Sequence, residues 1–274
     1  MTVPRAALAA ASIALLLALS VPDGVQAQDF QWPDEAENLE VLPDDTGPDR
    51  LRAVMQHFTD ALGVRCSHCH TGEGDLSTWD FASDEKEHKE AARVMMRMVR
   101  AINQDHLAEL EEGESHSHAE GEAGHDHEHG ADAGLLEGHV TCTTCHRGTE
   151  EPRMIEDIVA GTVREAGVDS AVARYRALRE QYYGGFAYDF RAGPLSEVAR
   201  RLAREGDVEA GLRLAELETE YHPDSYRAWF ARAQVQRRAG STDAAITSLE
   251  RSLENAPEEA RDFLRRQLER LRGG

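Results

Sequence analysis

The sequence predicts an all-α chain built in two parts, and three observations carry that expectation. Apolar residues recur at three- and four-residue steps in successive stretches between Pro48 and Leu271. Two short runs, Cys66-Ser67-His68-Cys69-His70 and Cys142-Thr143-Thr144-Cys145-His146, together use all four cysteines of the chain. From about residue 195 onward the pattern repeats itself, with Gly206 and Gly240, Ala210 and Ala244, Leu212 and Ile246, and Pro223 and Pro257 each 34 residues apart.

The cysteine runs define the chemistry of the first part. Two thiols three positions apart can form thioethers with the two vinyl groups of one porphyrin, while the histidine that follows meets the iron. A zinc site with four cysteine ligands would use the same sulfurs, but it gives no reason for a histidine directly after each pair. Structural disulfides leave those histidines equally unexplained. The expectation is therefore a dihaem c-type cytochrome domain made of helix, turn and haem-motif units, followed by a tetratricopeptide-like (TPR-like) α-helical repeat domain. Two covalently attached haem c groups would sit on Cys66 and Cys69 and on Cys142 and Cys145, with His70 and His146 binding the irons.

Residues 1–27 read as a secretory signal peptide: Arg5, an apolar run from Ala7 to Val21, then Val25-Gln26-Ala27 with small residues where a signal peptidase inspects. The run is short for a membrane span, and Pro22, Asp23 and Gly24 break it. An uncleaved amino-terminal anchor is the alternative. Export fits covalent haem attachment, which takes place outside the cytoplasm. The expected location is periplasmic, free or associated with the outer face of the inner membrane.

Residues 28–47 mix Pro33 and Pro43 with acidic residues and read as an extended lead, with Leu39 to Pro43 placed to pack on the domain. The cytochrome domain is expected over 48–150. Its first helix starts at Pro48, carries Leu51, Val54, Met55, Phe58 and Leu62 on one stripe, and stops at Gly63. Trp79 and Phe81, beyond the first motif, are candidates to cover a porphyrin edge. Ser83 reads as the cap of a second helix running from Asp84 towards Leu110, with Ala91, Val94, Met95, Met98, Val99 and Ile102 inward and Met96 elsewhere. Residues 111–134 read as a disordered acidic insertion with His116, His118, His125, His127 and His129, either a solvated loop or a weak transition-metal binder.

Residues 151–194 are expected to form a helical hairpin and a connecting loop. Ile155, Ile158, Val159 and Val163 mark its first helix, Gly167 to Ser170 a turn, Ala171 to Tyr183 the second helix, and 184–194 a glycine- and aromatic-rich loop. Over 195–274 helix pairs should turn at the glycines and close before the prolines, with Ala260 to Leu271 as a capping helix. Such a stack either offers a face to a peptide or protein partner or extends the domain structurally.

The sixth iron ligand decides function. A second protein ligand closes the haem and leaves electron transfer, whereas an open face admits gases and peroxide. Met55 stands eleven residues before Cys66 on the apolar stripe of the preceding helix, and Met95 and Met98 share a face of the second helix. Each also reads as a flexible core filler, the usual role of a helix methionine. His57 and His68 are polar neighbours, and His68, inside its motif, should face away from its own iron.

At this point the chain resembles the family of photosynthetic reaction-centre cytochrome c subunits. The resemblance rests on Phe58 to His70, Ser77 to Ala82, Met95 to Asn103 and Val140 to Gly148, and covers roughly residues 38–150. It implies a helix carrying an axial methionine ahead of each haem motif, and electron delivery to a photo-oxidised chlorophyll pair. Carried over by position, His70 and Met55 would bind the first iron, and His146 and Met95 the second, with Met98 as the substitute for Met95. The family subunit has four haems in two such halves, whereas this chain has one half, a long histidine-rich insertion and a foreign repeat region.

A net charge of −21 disfavours nucleic acid and anionic lipid, and selects redox donors and acceptors with basic docking faces when it does more than confer solubility. A membrane photosynthetic or respiratory complex is the expected acceptor. The chain is thus expected to be an electron-transfer protein and not an enzyme. The alternatives are a dihaem peroxidase, or an assembly or sensor protein that uses the TPR-like region.

Overall fold

The computed structural model describes residues 30–108 and 140–273. The expected signal peptide and the histidine-rich insertion lie outside the described residues. The body of the fold begins at Trp32. Among the described residues it is helical throughout, with one isolated antiparallel bridge between Thr71 and Asp80.

Helix α1, Pro48–Leu62, starts on a proline whose fixed φ suits the first turn and whose missing N–H costs nothing there. It ends at Gly63, which adopts φ 68° and donates its N–H to the Thr59 carbonyl at 2.9 Å. Its inner face, Leu51, Val54 and Ala61, is buried. Leu51 and Val54 meet Met96 and Val99 of helix α2, Glu87–Ala101, with Leu42 of the lead segment closing the same small core. Trp32, Leu39, Val41, Met55 and Phe58 pack around it.

The second helix departs from expectation in two ways. It starts at Glu87 and not at Asp84: the Ser83 hydroxyl accepts the Glu85 N–H at 3.2 Å, but the Asp84 side chain is engaged elsewhere. The Asp84 carboxylate accepts from Asn38 at 2.9 Å and pairs with Arg93 at 2.9 Å and Lys89 at 3.1 Å, while the Lys89 ammonium also donates to the carbonyls of Phe81, Ala82 and Ser83. The α-helix then gives way to a π-helical stretch, Ile102–Leu107. The buried stripe is also rotated: Arg93, Met96 and Val99 face inward, whereas Val94, Met95 and Met98 are 50, 42 and 45% exposed. Arg93, on the inward face, pairs there with Asp84, Glu40 and Glu90. Asn38 and Arg93 together hold the Asp84 carboxyl well below the usual carboxylate range.

After α3, Cys142–His146, the chain enters a helical stack: α4 (Ile155–Ala166), α5 (Val168–Tyr182), α6 (Pro194–Glu205), α7 (Val208–Tyr221), α8 (Tyr226–Arg238), α9 (Thr242–Asn255) and α10 (Glu258–Arg272). Only Gly167 separates α4 from α5, so the expected four-residue turn contracts to one glycine at φ 82°. One core runs from Ile155 and Val159 through Tyr175, Leu195, Val198, Leu214 and Leu217 to Val235; a second joins Ala233, Leu249, Leu264 and Leu268. Helices α6 with α7 and α8 with α9 form hairpins that turn at Gly206 and Gly240, an arrangement compatible with a TPR-like stack.

Glu218 of α7 is 1% exposed inside this stack. Its Oε1 accepts from the Gly193 N–H at 2.5 Å and the Ser196 hydroxyl at 3.4 Å, while its Oε2 has no partner. Burial outweighs these donors and pushes the carboxyl up to about 7 from an ordinary 4.5. The neutral acid is therefore the form the fold favours. That contribution is whole below the unfolded value of 4.5 and is lost as pH rises through about 7. We predict that the unfolding temperature of the chain falls between about pH 4.5 and pH 7 as up to about 3 kcal/mol of stability is lost, and that Glu218→Gln flattens this slope. Thermal melts across that range check both outcomes.

Candidate haem sites

Each motif is shaped by a single turn of backbone. Arg65 is extended, Cys66–His68 form a tight turn, and the N–H groups of Cys69 and His70 both donate to the Cys66 carbonyl, at 3.2 and 3.0 Å. Residues three and four apart on such a turn share a side, so Cys66, Cys69 and His70 are presented together and Ser67 and His68 diverge from them. His68 turns to Glu150, with Nε2 3.4 Å from Oε1, and to His88, with ring centroids 4.0 Å apart. His70 lies edge-on to Phe81 at 5.1 Å, and Phe81 stacks on Trp79 at 5.9 Å. Trp79 also lies on Gly72, where a Cβ would meet its ring at 2.1 Å, so only glycine fits beneath it.

In the second motif Thr141 and Thr144 cap the short helix α3 reciprocally, the Thr141 N–H donating to the Thr144 hydroxyl at 3.0 Å. Arg147 then takes φ 52°, which returns the chain so that the Thr149 carbonyl meets His146 Nδ1 at 3.0 Å. With the proton held on Nδ1, Nε2 keeps its lone pair free for a metal. The Thr149 hydroxyl donates back to the His146 carbonyl at 2.7 Å and locks the turn.

The chemistry of these donors fits haem c. All four cysteines are free thiols, and burial pushes those of Cys69 and Cys142 up. Burial, and then the Lys89 charge, push His70 down, which keeps its imidazole neutral, and its Nδ1 is buried without a partner. The exposed stripe of Val94, Met95 and Met98 on α2 is the kind of apolar surface that a flat macrocycle would cover.

The structure also brings the two motifs together. The Gly148 N–H, just after the second motif, donates to the Ala61 carbonyl of α1 at 2.8 Å. A Cβ on Gly63, just before the first motif, would lie 2.3 Å from the Gly148 carbonyl oxygen. Asn103, beyond the end of α2, holds the lead into the second motif twice, donating to the Val140 carbonyl at 2.7 Å and accepting its N–H at 3.0 Å. Met95 and Met98 are thus on the helix that is tied to the second motif, while Met55 is half-buried against the α1–α2 core ahead of the first. Neither Asn103, Gly148 nor Glu150 was assigned a role from sequence; Asn103 stood at the end of the Met95 to Asn103 block, but its pairing with Val140 crosses the long insertion.

Residues 48–152 match the family of photosynthetic reaction centre cytochrome C subunits. This segment resembles a domain of that family. The chain is similar to cytochrome c-554 of Chloroflexus aurantiacus, 29% identical over 127 residues that make up 45% of this chain and 24% of that protein. It is also similar to the photosynthetic reaction center cytochrome c subunit of Rubrivivax gelatinosus, 28% identical over 104 residues, 38% of this chain and 24% of that protein. The similarity thus spans about a quarter of each relative's length. The matched family is one of c-type cytochromes, which implies covalently bound haem c in the matched segment. Helices α4 to α10 lie outside the family match.

Gly63 is the most sensitive point of this domain's frame, because its positive φ and the Gly148 carbonyl both forbid a side chain. Gly63→Ala should cost at least about 2 kcal/mol in denaturant unfolding of the haem-loaded chain. Gly74→Ala, at a similar φ of 72° but with open space around it, should cost less.

Proposed function

We propose that the chain is an exported dihaem c-type cytochrome that relays single electrons between two redox proteins. The observation that carries this reading is the apposition of two complete Cys-x-x-Cys-His turns, with free thiols and positioned histidines, in one small domain. When bound, haem c supplies an iron centre that accepts and releases one electron. Cys66 and Cys69 would hold one group and Cys142 and Cys145 the other. His70 and His146 would bind the irons from one side, the latter with its ring oriented by the Thr149 carbonyl. Met55 would close the first iron and Met95, or Met98 in its place, the second. A thioether ligand favours ferrous iron and so sets the relay at a higher potential than a second histidine would.

The charge of −21 directs the relay towards donors and acceptors with basic faces and away from nucleic acid. The similarity to the photosynthetic reaction center subunit of Rubrivivax gelatinosus supports a photosynthetic complex as one partner. Residues 1–27 support a periplasmic location, and no helix among the described residues is long and apolar enough to cross a membrane. The TPR-like region would hold a peptide or protein partner beside the relay.

Pyridine haemochrome assay and intact mass should give two haems per chain, and Cys66→Ala with Cys69→Ala should leave one. Met55→Ala should lower one midpoint potential by roughly a tenth of a volt or more, within the ~0.8 V range that axial ligands command, and admit carbon monoxide at that haem. An unchanged potential and spectrum would remove Met55 from the site. Of Met95→Ala and Met98→Ala, only the first should abolish the far-red thioether-to-iron band of the second haem. Rapid peroxide turnover by a high-spin haem in the unmutated protein would replace the relay with a peroxidase.

A further inference from the structure

We propose that His68, His88 and Glu150 form a binding site for one divalent transition-metal ion of the zinc class, apart from either haem. Their ligand atoms all lie within 4.8 Å of one another. Both His68 Nε2 and His88 Nε2 face the same carboxylate oxygen, Glu150 Oε1, at 3.4 and 3.8 Å. Zinc–nitrogen and zinc–oxygen bonds near 2.0–2.1 Å place tetrahedral donors about 3.3 Å apart, so small side-chain rotations complete the set. Two imidazoles and one carboxylate are a zinc-type donor set, which leaves a fourth position for water.

The three donors come from three elements, each held in place independently. The Lys86 ammonium donates to the Ser67 carbonyl and ties the His68 turn to the start of α2. His88 sits in the first turn of that helix, whose inner face is core. Glu150 follows Thr149, which is buried and bonded to His146. Little ordering therefore remains to be done when the ion arrives. The side chains of His88 and Glu150 are 43 and 51% exposed, so a hydrated cation has access, and the strongly acidic chain concentrates cations around itself. A bound ion would clamp the first motif, α2 and the loop after the second motif to one another. The site needs only these three side chains and does not rest on the electron-relay reading.

The test uses the full, haem-loaded chain in which His116, His118, His125, His127 and His129 are each replaced by alanine, so that the insertion contributes no zinc. Calorimetric titration with zinc chloride should give one ion per chain, and the unfolding temperature should rise with zinc. His88→Ala and the isosteric Glu150→Gln should each weaken binding by about tenfold or more and abolish the thermal shift, with haem content unchanged. No zinc uptake by the insertion-substituted chain, or uptake that neither His88→Ala nor Glu150→Gln weakens, would overturn the site and leave the trio as a stacked and hydrogen-bonded surface cluster.

Discussion

The cytochrome domain depends on one close backbone contact, that of Gly63 with Gly148. The end of α1 and the exit of α3 approach until a Cβ at residue 63 would overlap the Gly148 carbonyl, and the Gly148 N–H spends its hydrogen bond on Ala61. Because each glycine adjoins a haem motif, this single contact fixes the two motifs relative to each other. Across that join His68 finds Glu150, and Asn103, beyond the end of α2, holds the approach to the second motif.

Polar groups set the remaining geometry of the domain, since its apolar core is small. Arg93 is the central member. It is buried, draws Asp84, Glu40 and Glu90 around itself, and binds the Asn38 carbonyl, so the lead segment, the loop before α2 and α2 are joined through one guanidinium. A planar, permanently charged group with five donors can serve several acceptors at once, which lysine could not do from the same position. The cost is that α2 turns its apolar Val94, Met95 and Met98 outward.

The helices that carry simple periodicity were readable from residues alone: α1 with its proline start and glycine stop, the helices of the stack, and the glycine turns of the hairpins. Local interactions dominate such elements, and local signals suffice. The orientation of α2 was not readable, because an arginine at the centre of a buried network looks in sequence like one on a solvated face. Its start was not readable either, because Asp84, placed to open the helix, is drawn instead to the distant Asn38 and to Arg93. Glu218 is the same lesson in the stack: an ordinary acidic residue on a helix, made unusual by burial and an unpaired oxygen.

By itself the sequence determined the two Cys-x-x-Cys-His turns and the methionine-bearing helices ahead of them, since these depend on residue type and on spacing within one turn. Only the tertiary structure decided which turn lies beside which, that Asn103 meets Val140 across the insertion, and that His68, His88 and Glu150 converge. Contacts between residues far apart in the chain are settled by packing and by competition among many hydrogen-bond partners, and no local pattern encodes the winner.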